Sequence, residues 1–251
     1  MRNVLAIVGR EMRSYFTSPV AYVVLTMFVL LSGVFFQAIL SQVVRYASFA
    51  GPQPIDVPGL VSENFMGTLS VILLFMFPMI TMGLFSEEKR RGTIELLLTA
   101  PLTDFEVVLG KFFASVSFYA VMLATTAISM STLFIYGDPA WGPIATAYLG
   151  LLLFGIALLA VGLFVSTLTE NQIIAAVLSF GAILLLWMVE FLAGNAASTA
   201  GQVLSYLSVV NHLEGFMGGV LATSHVIFYL SLTTLGLFLT YRSIEAMRWK
   251  A

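Results

Sequence analysis

Six long apolar runs, at roughly 20–41, 65–85, 112–136, 144–167, 172–193 and 224–242, leave this 251-residue chain few ways to fold. None contains Lys or Arg before the Arg242 that closes the last one. At about 1.5 Å of helix per residue each run is long enough to cross a hydrocarbon core of about 30 Å. The runs are continuous instead of alternating, which predicts helices and argues against a β-barrel. With 59% hydrophobic and 10% charged residues, the composition is that of a chain solvated by lipid. Six spans and their connections use up most of the length, so a single membrane domain over 1–251 is expected. Cysteine is absent, which removes disulfides and thiolate metal sites. Arg2, Arg10, Glu11 and Arg13 interrupt residues 1–18, so no cleavable signal peptide is expected there.

The charges orient the spans. With the N-terminus in the cytoplasm, the inner segments hold Arg2, Arg10, Arg13, Lys89, Arg90, Arg91, Lys111, Arg242, Arg248 and Lys250. Only Arg45 remains outside, a strong positive-inside bias that places both termini in the cytoplasm. Adding or removing one span would put a basic cluster on the wrong side. Residues 42–64, with Gly51, Pro52, Pro54, Pro58 and Gly59, read as an irregular outer loop. Residues 194–223 are too broken for a seventh span and too apolar for a free loop, which predicts two short helices at or dipping into the outer interface. Asn211 is the candidate cap of the second.

Two inner features carry more information. Residues 2–16 place Val4, Leu5, Ile7, Val8, Met12, Tyr15 and Phe16 on one helical arc, with Arg2, Arg10 and Arg13 opposite. An interfacial helix over 1–18 follows, either a plain anchor or a docking element. Glu11 falls on the apolar arc and so requires a basic partner from another segment. The second feature is the connection 86–111, SEEKRRGTIELLLTAPLTDFEVVLGK. Glu87 to Arg91 extend the second span, Gly92 permits a break, Ile94 to Leu98 form a short apolar helix and Pro101 ends it. Thr103 with Glu106 then makes a capping box that opens the third span.

The pattern E-E-K-R-R-G-T-I-E-L-L-L-T-A-P at 87–101, followed by L-G-K at 109–111, resembles the membrane subunit of type-2 ABC exporters, and among them the gliding-motility-associated permeases. S-P-V-A-Y-V at 18–23 with Glu11, L-T-E-N-Q-I at 168–173 and N-H-L-E-G-F-M-G-G-V at 211–220 extend the resemblance over nearly the whole chain. Met217-Gly218-Gly219-Val220 departs from it, standing where a polar residue followed by Gly-Val is expected. The resemblance implies that the 86–111 connection is a coupling helix docking on a separate ATP-binding subunit, which binds the ATP and Mg. It also implies a second permease, identical or homologous, and a bacterial cytoplasmic (inner) membrane location. Carried over in this way, Glu88, Arg91, Gly92, Thr93, Glu95, Leu97 and Pro101 are the coupling residues, with Glu11 and Arg13 on the interfacial helix.

No phosphate-binding loop supports nucleotide binding by this chain. Gly110-Lys111 is preceded by Phe105 at the position where that loop needs glycine, and followed by Phe112. Enzymatic activity is therefore not expected of it, nor a cofactor of its own, and no nucleic-acid partner. His212 and His225 stand thirteen positions apart with no carboxylate at ligand spacing, so no metal site is expected. Glu190 lies about 27 Å along its span from Gln172, near the outer interface, where snorkelling or an outer-mouth role with His212 and Glu214 is favoured over a midplane proton relay. Thr125, Thr126, Ser129, Ser131 and Thr132 read as interhelical hydrogen bonding, and Gly150, Gly155 and Gly162 as close packing. Pro78 predicts a kink. Two other functional classes remain open: an ion-driven secondary transporter, for which inverted repeats and midplane acids are missing, and a non-transporting scaffold of a motility or envelope complex.

Overall fold

The computed structural model describes residues 2–49, 56–94, 102–193 and 199–248. The described residues are helical, with short connections. In chain order they form α1 (Arg2–Thr17), α2 (Pro19–Phe49), α3 (Val57–Thr81), α4 (Ser86–Arg90), α5 (Asp104–Tyr136), α6 (Trp141–Ser166), α7 (Gln172–Ala193), α8 (Thr199–Leu207), α9 (Val209–Met217) and α10 (Thr223–Arg248). Six of them, α2, α3, α5, α6, α7 and α10, are long and apolar enough to cross a membrane. The chain is thus an all-α, six-span integral membrane protein.

Most of these helices are longer than the apolar runs they contain. The largest difference is within 42–64, predicted as an irregular loop, where 42–49 and 57–64 are helical. Helix α2 carries on to Phe49 and α3 begins at Val57, with only residues 50–55 between Phe49 and Asp56 outside the described set. Local chemistry explains the early start of α3: Asp56 caps it, its carboxylate accepting from Gly59 N at 3.0 Å, and Pro58 suits the first turn. Pro58 thus begins a helix where the sequence predicts a loop.

Helices α3, α5 and α6 form the inner layer, while α2, α7 and α10 show most of their surface outward. Glycines set the close approaches of α6. A Cβ at Gly155 would sit inside the Tyr119 ring, one at Gly162 against the Thr81 side chain, and one at Gly150 against Phe216. Of the hydroxyl cluster in α5, Thr126 reaches another helix, lying 2.9 Å from Tyr148 Oη. Thr125, Ser131 and Thr132 instead donate back to carbonyls of their own helix.

Between α7 and α10 the two short helices α8 and α9 appear as predicted, with residues 194–198 outside the described set. Their boundary corrects one assignment. Ser208, not Asn211, caps α9, its side chain accepting from Asn211 N at 3.1 Å. Asn211 Nδ2 donates back to the Ser205 hydroxyl and carbonyl, at 2.8 and 3.2 Å.

Candidate functional site

At the end of the bundle where α3 finishes and α5 begins, charged groups from three segments meet around Lys111. Its side chain is 2% exposed, and Nζ lies 2.8 Å from Glu88 Oε1 and 3.4 Å from Glu11 Oε1. Arg10 closes the group, 2.7 Å from Glu11 and 3.9 Å from Glu88. The Phe85 ring lies 5.2 Å below the ammonium. A buried lysine is tolerated only when paired, and here two carboxylates flank it. Burial pushes the Glu11 carboxyl up, but Lys111 and Arg10 outweigh it and hold the group below the ordinary carboxylate range. Its contribution is therefore present above the ordinary carboxylate pKa and lost as pH falls through the folded-state value.

Each partner is placed by local structure. Helix α1 runs along α5 with Val4, Ile7, Val8, Glu11, Met12 and Tyr15 turned toward the protein, a spacing of three and four that makes one stripe. Ile7 seats on Gly110, where a Cβ would clash with it, and Tyr15 stacks on Phe118 at 5.0 Å. Burial, and secondarily the Glu11 charge, pushes the Tyr15 phenol up. Leu5 and Phe16 of the predicted arc are exposed instead. Asn3 Nδ2 donates to Glu106 Oε1 at 3.0 Å. Glu106 also completes the predicted capping box, accepting from Thr103 N at 3.1 Å while Thr103 Oγ1 accepts from Glu106 N at 3.3 Å.

Glu88 comes from α4, which ends as the sequence requires. Gly92 takes φ +68°, its N–H donates to Lys89 O and the Thr93 N–H donates to Glu88 O. This pair of bonds closes a helix with glycine in the left-handed region. Arg91 pairs with Glu87 one turn back, and Lys89 donates to the Thr167 carbonyl beyond α6. Thr167 in turn bonds Ser243 at 2.8 Å, and Arg248 pairs with Asp104 at 3.3 Å. The R-R-G-T motif is thus a helix stop, and Leu109-Gly110-Lys111 is a receptor for α1 and α4.

Of the sequence-selected residues, Glu11 and Glu88 meet at Lys111, while Arg91, Gly92 and Thr93 form the adjoining turn. Arg13 is exposed on the far side of α1 from Glu11. Glu95, Leu97 and Pro101, and the short helix expected beyond Ile94, lie outside the described residues. The outer-mouth set is at the other end of the bundle: His212 is buried, Glu214 exposed, and the Glu190 side chain falls outside the described set. Lys111 is the residue that sequence reasoning missed, having taken it for a topology charge. A signal existed, since a lysine two turns inside a span and a carboxylate on an apolar arc each lack a partner.

A six-span bundle with an ion-paired polar platform at one end defines a multi-pass integral membrane protein. The chain belongs to the ABC-2 type transporter family, whose profile matches residues 2–194. Membership makes it the membrane-spanning, non-catalytic component. It is 30% identical over 127 residues to the probable multidrug ABC transporter permease YbhS of Escherichia coli, across 50% of this chain and 33% of that protein. Probable multidrug ABC transporter permease YbhR of the same organism is 29% identical over 87 residues, 35% of this chain and 23% of its own length. The matched stretch therefore spans a third or less of these curated relatives.

Proposed function

We propose that this chain is the permease of an ATP-driven exporter, converting nucleotide-dependent movement of a separate ATP-binding subunit into rearrangement of a path through the membrane. The observation that carries the reading is the Lys111 network, because it fastens α1, α4 and the start of α5 into one unit. A push on the segment that follows Thr93 then reaches α3 through α4, and α5 through Lys111. Glu88, Arg91, Gly92, Thr93, Glu95, Leu97 and Pro101 form the docking side of this platform, with α1 carrying Glu11 and Arg13 beside it. The positive-inside bias supports a cytoplasmic position for that face and for both termini. It also supports interfacial positions for α1 on the inner leaflet and for α8 and α9 on the outer side, with Glu190, His212 and Glu214 at the outer mouth.

The residues function as one permease domain in a bacterial inner membrane and pair with a second permease. The outward apolar faces of α2 and α7, with Leu30, Val34, Ile173 and Val177 exposed, are suited to lipid or to that second copy. An amphiphilic cargo fits the apolar spans and the multidrug description of the relatives.

The test is purification with the ATP-binding subunit in lipid nanodiscs. Alanine at Glu95 and Leu97 is expected to weaken complex formation and to lower the ATPase rate. Unchanged assembly and an unchanged rate in the folded double variant would falsify the docking role.

A further inference from the structure

At the end of the bundle opposite the ion pairs, α9 is held to its neighbours by rings. The His212 ring centre lies 4.0 Å from that of Phe228, 5.0 Å from that of His225 and 5.4 Å from that of Tyr206. Tyr229, behind them, donates to the Val209 carbonyl at 2.7 Å. His212 is 4% exposed. Neither of its ring nitrogens, nor Nδ1 of His225, makes a hydrogen bond of good geometry. His225 stands directly over Gly215, where a Cβ would lie 2.7 Å from its Nε2, so the two helices touch at this ring. A neutral imidazole can be accommodated in such a cage, whereas among the described residues no hydrogen bond holds either nitrogen of the His212 ring in a way that would offset an imidazolium.

We propose that His212, packed against His225, is a proton-operated latch, which holds α9 against α10 while the His212 ring is neutral and releases it when His212 takes up a proton. The groups facing the pair support this. Helix α8 presents Tyr206 and α10 presents Tyr229, while α6 meets α9 through Gly150 under Phe216. On α9 itself Glu214 is exposed. Asp56 and Glu63 of the α3 end line a separate cavity of about 260 Å³ beside Met217 and Gly218. Helix α7 carries Glu190, whose side chain lies outside the described residues. Burial, then the His225 ring, pushes His212 below the ordinary imidazole range, against a smaller opposing effect of the Ser208 backbone.

A released His212 has somewhere to go. A cavity of about 310 Å³ adjoins it, lined by Gln202, Ser205, Asn211 and Ser224, whose oxygens can accept from an imidazolium. The released ring titrates near the ordinary value of about 6.5 and the caged ring below it. The closed state is therefore fully favoured above that pH and loses ground as pH falls through the caged value.

Hydrogen exchange by mass spectrometry on the purified chain in nanodiscs tests this without any ATPase. After correction for intrinsic exchange, amides of 209–217 are expected to exchange about tenfold faster at a pH of about 5.5 than at about 7.5. His212→Phe keeps the ring packing and is expected to abolish the difference. His225→Gln removes the neighbouring ring that helps hold the caged value down, so the caged and released values converge and the difference between the two pH values is expected to shrink; this variant decides the matter if the first fails to insert. The latch is overturned if wild-type protection is the same at both pH values, if His212→Phe still releases, or if His225→Gln keeps the full wild-type difference.

Discussion

Lys111 shows how much one buried charge organises. Its ammonium is shared by carboxylates from two other segments, so deleting it leaves Glu11 with Arg10 alone and Glu88 with only the more distant Arg10, in a site of low exposure. For Lys111→Met the expected loss lies toward the lower end of the about 3–5 kcal/mol typical of breaking a buried pair, since Glu11 and Glu88 keep some contact with water. Thermal unfolding of the purified protein measures it, and adding Glu11→Gln with Glu88→Gln is expected to recover part of the loss, because no shielded carboxylate then lacks its cation and the remaining Arg10 is exposed to water. Residue-level chemistry was partly legible in the sequence. That Glu11 needed a basic partner followed from its place on an apolar arc, and Arg10 and Lys111 supply it. Which lysine or arginine would answer was not legible, because 100 positions separate Glu11 from Lys111 and only the folded path of α5 joins them. The meeting of His212 with His225 was hidden for the same reason: thirteen positions of turn and helix intervene.

Elements were read best where local bonds decide them. The capping box at Thr103 and Glu106 and the break at Gly92 both rest on contacts within a few residues, and both are present. The error at 42–64 came from counting prolines without asking whether they could start a helix, which Asp56 and Pro58 do. Close packing of α6 was legible from its glycines, but the opposing groups were not. Tyr119 occupies the space at Gly155, so Gly155→Ala must displace a ring whose hydroxyl donates to the Leu151 carbonyl. Overpacking of this kind costs about 1–3 kcal/mol. The melting temperature is expected to fall for Gly155→Ala and to hold or rise for Gly181→Ala, where nothing lies within 4 Å of the added carbon and alanine suits a helix interior better than glycine.

Across the whole molecule, six spans were legible because lipid imposes length and apolarity on each, while the division into an inner layer of α3, α5 and α6 and an outer layer of α2, α7 and α10 was not. All six are apolar whichever neighbour they face. What joins fold to function is the claim that the end bearing Lys111 is the one an ATP-hydrolysing partner engages. A photo-crosslinking amino acid placed in turn at Arg91 and at Tyr136, both exposed and at opposite ends of the bundle, tests it directly in the assembled transporter. The account predicts an adduct with the ATP-binding subunit from position 91 and none from position 136; an adduct from position 136, or none from position 91 in an intact complex, contradicts it.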